Sequence, residues 1–114
     1  MKHLQSNKHF VSYLAHCKPE QRRKLLLNSN ASEIDSLCEI ISNILKGNFD
    51  VPDNKKKQLV YHKNFLRSVS NPKINISTAK RKILQYGNGV DLISKIIKLL
   101  LPELLKYLAS LEHA

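Results

Sequence analysis

Several residue types are scarce in this chain of 114 residues, and the shortages narrow the classes of fold. There is no Trp, and the seven aromatic residues, three Gly and four Pro are too few for the frequent turns and aromatic strands of a β-sandwich or barrel. The two cysteines, Cys17 and Cys38, stand 21 positions apart without a Cys-x-x-Cys pair, which predicts free thiols. Because 42% of the residues are hydrophobic, the chain has enough apolar side chains for one domain with a real core.

Apolar residues recur at helical spacing along most of the chain, which predicts an all-α fold. The clearest stripe follows Asn30 or Ser32, either of which is a suitable helix cap, and Gly47 is placed to end that helix. Pro19 is suited to the first turn of a shorter helix that carries Leu25, Leu26 and Leu27 inward. We expect a compact bundle of five or six helices with the apolar C-terminal helix at its centre. Predicted helices cover residues 19 to 28, 54 to 70 and 90 to 111. Another ends near Cys17, one follows Asn30 or Ser32 and ends before Gly47, and one begins at Asn75, Ser77 or Thr78 and ends before Gly87.

The ends of the chain set the predicted domain boundaries. Residues 1 to 111 are interpreted as a single helical domain. Residues 112 to 114 are interpreted as the remnant of an expression tag, because Leu-Glu-His is a common vector junction. The first residues are polar and basic without an apolar leader, so we expect an intracellular protein, in the nucleus or a virion, rather than a secreted one.

The charge of the chain is unevenly distributed. The formal net charge is +10, and residues 54 to 90 contain nine cations and no acid, whereas residues 28 to 53 contain one Lys against five acids. A mixture of signs is enough to keep a surface soluble, and a block of one sign repels itself. The acid-free segment therefore predicts an anionic partner.

Two basic clusters in this segment are the predicted contacts with nucleic acid. A single helix over residues 54 to 70 spans about 25 Å, comparable with about seven base pairs of duplex. Only four of the 19 cations are Arg, the residue that makes paired hydrogen bonds to guanine. We therefore expect phosphate contacts and few contacts that distinguish bases. The alternative is that these side chains are only the solvated faces of two helices. The predicted contacts are Lys55, Lys56, Lys57, Lys63, Arg67, Lys80, Arg81 and Lys82.

A helix-turn-helix over residues 54 to 86 is a further interpretation of the same segment. The connection through Asn71 and Pro72 looks too long for the short turn of that motif. This interpretation stays open at the level of the sequence.

The final helix supports a hypothesis of another class. Fourteen of the 22 residues from 90 to 111 are apolar, and the charged residues form one narrow stripe. The charges argue against a membrane-spanning segment, but a basic face opposite a Leu and Ile face is typical of a helix in a membrane interface. A central core helix or a homo-oligomer contact has the same pattern. The residues predicted for a membrane or partner interface are Ile93, Ile97, Leu100, Leu104 and Leu108.

Other chemistry has little support in the sequence. His3, His9 and His16 are six and seven positions apart, and none is at the three- or four-residue spacing that brings two ligands together on one helix face, so no metal site and no cofactor are predicted. Cys38 lies in the apolar stripe and is expected to pack as a small hydrophobe. There is no Gly-rich phosphate loop and no nucleophile elbow, so we expect no enzymatic activity.

Three acidic residues precede the basic segment. Glu33, Asp35 and Glu39 fall in the first half of the predicted helix that ends before Gly47. We expect them to interact with the positive end of that helix and to accept from the basic segments.

Four short motifs resemble a known family of small basic proteins. They are Leu37-Cys38-Glu39, Ile44-Leu45-Lys46-Gly47-Asn48, Tyr61-His62-Lys63-Asn64-Phe65-Leu66-Arg67 and Ala79-Lys80-Arg81-Lys82-Ile83-Leu84-Gln85, the last followed by Gly87 and an apolar tail. Over residues 20 to 100 this succession resembles proteins encoded by Maverick or Polinton elements, also called adintoviruses, and by related adenovirus-like elements of animal genomes.

The resemblance implies a late virion component that accompanies packaged DNA, or a minor capsid or membrane-active protein. It supplies no catalytic residue. Asn88 stands where the family tends to run glycines together, and the tail is richer in Lys, which weakens the membrane-active version.

These patterns together predict a non-enzymatic basic helical protein that binds nucleic acid mainly non-specifically, with DNA favoured, as a virion core or packaging component. One alternative is a minor capsid or membrane-active protein that uses the C-terminal amphipathic helix. Another is a homo-oligomeric scaffold. A membrane surface is the less favoured partner.

Overall fold

Eight helices make up most of the described chain. The computed structural model describes residues 2 to 87 and 89 to 112, with side chains as far as residue 110. These residues contain no β-strand, which confirms the all-α fold. There are eight helices instead of five or six because two of the predicted helices are each divided in two. The helices are α1 (Lys2–Ser6), α2 (Lys8–His16), α3 (Pro19–Leu27), α4 (Ala31–Leu45), α5 (Asp53–Tyr61), α6 (Lys63–Ser70), α7 (Ile76–Gln85) and α8 (Gly89–Glu112).

Two parts of the sequence-based interpretation lie outside the described residues. One is Asn88, where the chain departs from the pattern of the resembled family. The other is the end of the predicted tag remnant, residues 113 and 114.

The clearest predicted helix, α4, has the predicted ends. The Asn30 side chain accepts a hydrogen bond from the Glu33 backbone N–H at 2.8 Å, and the Glu33 carboxylate accepts from the Asn30 N–H at 2.9 Å. This reciprocal pair satisfies two donors that a helix start leaves free. Gly47, with φ of +77°, follows the helix in the left-handed conformation that glycine adopts without strain.

Asn7 divides the first predicted helix into α1 and α2. Its side-chain amide donates to the His3 carbonyl at 2.8 Å and to the hydroxyl and carbonyl of Ser32 at 2.8 and 3.1 Å. An Asn side chain that bonds backbone groups competes with the regular helix. The Asn7 side chain, at the break between α1 and α2, therefore connects the N-terminal segment to the start of α4.

The core is built around α8 and α4. α8 packs against α2, α3 and α7, and α4 packs against α1, α2, α6 and α7. The hydroxyl of Ser94, which is fully buried on α8, donates to the Leu14 carbonyl of α2 at 2.7 Å. This bond satisfies a polar group inside the core, where an unpaired hydroxyl is destabilising.

The residues predicted for a membrane or partner interface lie in this core. Each of the five is at most 4% exposed, so none faces a partner while the chain is folded. A membrane-active role through these side chains would require α8 to leave the bundle. Among the described helices, none combines the length and the hydropathy that crossing a membrane requires. The five residues are Ile93, Ile97, Leu100, Leu104 and Leu108.

One packing prediction is wrong. Leu26 is buried and Leu25 is half-buried, but Leu27 is 50% exposed. Successive residues of a helix point about 100° apart, so three in a row cannot all face inward.

Leu100 and Leu105 of α8 provide a matched test of this architecture. Leu100 is 1% exposed and Leu105 is 48% exposed. We expect Leu100→Ala to lower the free energy of unfolding by about 2 to 5 kcal/mol, because it leaves a cavity in the core. Leu105→Ala is expected to lower it by less than about 1 kcal/mol. Urea denaturation followed by circular dichroism measures both, and equal losses would contradict the assigned orientation of α8.

Candidate nucleic-acid interface

The predicted helix over residues 54 to 70 is interrupted at His62, between α5 and α6. The His62 backbone has φ of −99° and ψ of 14°, outside the regular helical values. Its ring Nδ1 lies 2.7 Å from the Tyr86 hydroxyl, and the Phe65 ring stacks on the Tyr86 ring with 3.9 Å between centroids. Tyr86 therefore fixes the junction of the two helices to the segment that follows α7.

The packing of α6 determines which of its side chains reach solvent. Leu66 and Val69 are buried in the core, whereas Lys63, Asn64 and Arg67 are exposed. Lys63 and Arg67 are four residues apart and share one face of the helix. The two cations that were predicted here as phosphate contacts both face outward.

α5 makes less contact with the core than the other described helices. It contains no buried residue, and Leu59 is its partly buried contact with the core. Lys56 and Lys57 are exposed, and Tyr61 at the end of the helix is 83% exposed. The Lys56 ammonium lies 3.1 Å from the Asp53 carboxylate, but both are exposed and such a pair stabilises little.

The predicted cluster at residues 80 to 82 is divided by packing. The Lys80 ammonium donates to the carbonyls of Leu27 and Ser29 at 2.8 and 2.9 Å, at the end of α3. The Lys82 ammonium donates to the Ser68 hydroxyl of α6 at 2.5 Å. Arg81 is the exposed member of the three. Lys80 and Lys82 thus connect helices within the chain, and Lys82 adds positive charge beside α6.

The acidic residues of α4 act within their own part of the molecule. Glu33 caps α4, and the Glu39 carboxylate accepts from the backbone N–H groups of His3 and Leu4 at 3.0 Å each. The Asp35 carboxylate lies 3.8 Å from the His3 ring. Among the described contacts, none of these three carboxylates is bonded to a cation of residues 54 to 90. Glu39 and Asp35 instead contact the first basic segment, residues 1 to 27, through His3 and Leu4, so the expectation holds there and not for residues 54 to 90. The predicted place at a helix start holds for Glu33.

Two arginines that the sequence reasoning did not single out hold α3 against the end of the bundle. Arg22 Nη1 lies 3.0 Å from the Asp91 carboxylate, and Arg23 Nη1 donates to the Leu84 carbonyl at 3.0 Å. The partners are more than 60 positions apart along the chain. No local pattern indicates these contacts.

The connection between α6 and α7 differs from that of a helix-turn-helix. It covers residues 71 to 75, and the Asn75 side chain then caps α7 by accepting from the Thr78 N–H at 2.8 Å. The turn of a helix-turn-helix has three or four residues. The longer connection agrees with the sequence-based argument against that motif.

The described residues include four histidines and two cysteines, side chains that can be metal ligands. No group of three or more His, Cys, Asp and Glu side chains there is close enough to hold a metal ion. The Cys17 and Cys38 thiols donate to the carbonyls of Leu14 and Val69, at 3.7 and 3.6 Å. Burial, followed by the negative charges of Asp35 and Glu39, raises the pKa of the Cys38 thiol to about 11.

The raised pKa of Cys38 predicts a shifted pH profile of alkylation. A Cys17→Ala variant isolates this thiol, and its reaction rate with iodoacetamide is measured between pH 7 and 11. Because the thiolate is the reactive form, the rate is expected to rise about tenfold per pH unit until the pH approaches the raised pKa. In urea, the alkylation rate of the same variant is expected to level off near pH 8.5. A folded profile that also levels off near pH 8.5 would show that the environment does not raise the pKa.

Comparisons with known proteins identify no relative: no protein-family model, no curated protein and no solved structure matches the chain. The resemblance to proteins of Maverick or Polinton elements stays a prediction. The role proposed for the basic surface therefore depends on the positions and charges of its own residues.

Proposed function

We propose that this protein binds nucleic acid without sequence preference, through phosphate contacts from the outer sides of α5 and α6. Five cations on these two helices are exposed; Lys55 lines a groove beside α8, and the other four, called the α5–α6 basic face, carry the proposal. Only one of them has a carboxylate partner among the described contacts, and that partner is itself exposed. The α5–α6 basic face consists of Lys56, Lys57, Lys63 and Arg67.

The fold favours a shared surface for these four residues. The His62 N–H bonds the Gln58 carbonyl and the Leu66 N–H bonds the His62 carbonyl, so hydrogen bonding continues across the break. The inner sides of α5 and α6 carry Leu59, Phe65 and Leu66, which contact the core. The four cations are exposed, so an extended anion such as a phosphate backbone can reach them.

The acids of the described chain do little to neutralise this surface. Those of α4 are committed to α1 and to the start of α4, and Asp91 is paired with Arg22. A concentrated positive field attracts polyanions over about a Debye length and releases their counterions on binding. Three of the four contacts are Lys, which meets phosphate as a point charge, so binding irrespective of sequence is expected.

A packaging role in a virion, which the resemblance implies, is compatible with this mode of binding. Packaged DNA has to be covered whatever its sequence, and phosphates are its common feature. The alternative membrane role has no comparable support, because the apolar side chains of α8 that it needs are buried.

Neutralising the α5–α6 basic face tests the proposal. For wild type, phosphate contacts from these four cations give a slope of roughly −3.5 in a plot of log affinity against log salt concentration. The quadruple variant K56Q/K57Q/K63Q/R67Q is expected to bind duplex DNA weakly, with a slope less steep by roughly 3 to 4. Fluorescence anisotropy at several salt concentrations measures both quantities.

The matched control removes the same charge elsewhere. K2Q/K18Q/K24Q/K46Q neutralises four exposed lysines outside α5 and α6 and is expected to retain most of the affinity and most of the slope. An equal loss in this control would show that net charge alone matters. A wild-type affinity that does not change with salt would exclude phosphate binding.

Tyr61 predicts a difference between single strands and duplexes. Its exposed ring is four residues from Lys57 and two from Lys63, where an unpaired base can stack while cations contact the backbone. Tyr61→Ala is expected to lower the affinity for a single-stranded oligonucleotide by about 5- to 100-fold and to leave duplex affinity nearly unchanged.

Two further variants control for the ring and its position. Tyr61→Phe keeps the ring and is expected to bind like wild type. Tyr13→Ala removes a half-exposed ring of α2, outside the α5–α6 basic face, and is expected to have no effect. Equal losses on single strands and duplexes in Tyr61→Ala would contradict stacking.

A further inference from the structure

A groove of about 400 Å³ separates α5 from the first half of α8. Its sides carry amino groups and its floor carries aliphatic side chains. None of its lining residues belongs to the α5–α6 basic face. The lining residues are Lys55, Gln58 and Leu59 from α5, and Lys95, Ile96, Lys98 and Leu99 from α8.

The charged groups of the groove are all positive. Lys95 and Lys98 are three residues apart and share one face of α8, and Lys55 extends from the opposite wall. The carboxylate one turn before Lys95 belongs to Asp91, which is bonded to Arg22 at 3.0 Å. Like charges that line one groove repel, so an anion among them is stabilising.

The floor requires an apolar group as well. Ile96 is buried, and Leu59 and Leu99 are half-buried at the bottom of the groove. Phosphates of a nucleic acid would satisfy the lysines but leave this floor in contact with water. The groove also follows only about one turn of each helix, about 6 Å along the axis, which is too short to seat a peptide helix.

We propose that this groove binds a single-chain anionic amphiphile. The phosphate or carboxylate head accepts hydrogen bonds from Lys55, Lys95 and Lys98, and the alkyl chain covers Leu59 and its two neighbours on α8. The volume is within the usual range of small-ligand sites, about 300 to 1,000 Å³. Because α5 has no buried residue, it can adjust its position against α8 as the alkyl chain of the ligand enters the groove.

The probe for this site is dodecyl phosphate below its micelle concentration, and the comparison is dodecyltrimethylammonium, which has the same chain and the opposite charge. Calorimetry is expected to show one-to-one, saturable binding of dodecyl phosphate only. Backbone amide NMR signals of Leu59, Ile96 and Leu99 are expected to shift together during the titration. Equal affinity for the cationic probe, no saturable binding, or shifts spread over the whole chain would overturn the proposal.

Variants locate the head group. K95Q/K98Q is expected to lower the affinity for dodecyl phosphate at least tenfold. K24Q/K106Q removes the same charge from exposed sites outside the groove and is expected to bind like wild type. Equal losses in the two variants would contradict the site. Thermal melting checks that both fold, and duplex binding by K95Q/K98Q reports separately on the α5–α6 basic face.

Two further arms identify the occupant. If K95Q/K98Q also loses binding to vesicles that contain lysophosphatidylglycerol, a single-chain anionic lipid, the site takes its ligand from a bilayer. If the protein binds dodecyl phosphate but not these vesicles, the ligand is a free amphiphile, and both results support the proposal. A Glu-rich amphipathic peptide that shifts the groove signals when dodecyl phosphate does not would overturn it in favour of a protein partner.

Discussion

Burial of the apolar face of α8 is the constraint on which the rest of this small protein depends. This helix of 24 residues contributes side chains to the core along most of its length, and α2, α3 and α7 pack against it. A helix with so wide an apolar face needs neighbours on several sides. Outside the core lie the polar stripe that includes Lys95 and Lys98 and, further along the helix, the exposed Leu105. α5 lies across a gap from Lys95 and Lys98. The groove is therefore a consequence of how the core is filled.

The two signs of charge have different uses in this molecule. Carboxylates hold parts of the chain together: Glu39 binds the first turn of α1, Glu33 closes the start of α4, and Asp91 joins α8 to α3 through Arg22. Most cations beyond residue 53 reach solvent instead. Since the acids are occupied locally, the excess positive charge is available to a partner, and a proposal of polyanion binding follows from the fold as well as from the composition.

The sequence was most informative where structure is local. The cap, stripe and terminating glycine of α4 follow from residues within one or two turns of each other, and all three are present. The break at His62 depends on Tyr86, which is 24 positions away, and the Lys80 contact depends on carbonyls about 50 positions away. Periodicity holds no information about such pairs. It therefore predicted the exposed cations of α5 and α6 but also assigned to phosphate binding two lysines, Lys80 and Lys82, that connect helices. The groove was missed for the same reason.

The weak attachment of α5 has a consequence for the hierarchy of stability within the domain. An element that buries no residue can detach while the hydrophobic centre stays intact, and the free energy of such a subglobal opening is smaller than that of complete unfolding. α5 carries one wall of the groove, with part of the α5–α6 basic face on its other side. A ligand that binds on either side only when α5 is packed against the bundle favours the packed state. Because both sides depend on the order of the same helix, binding on one side then favours binding on the other.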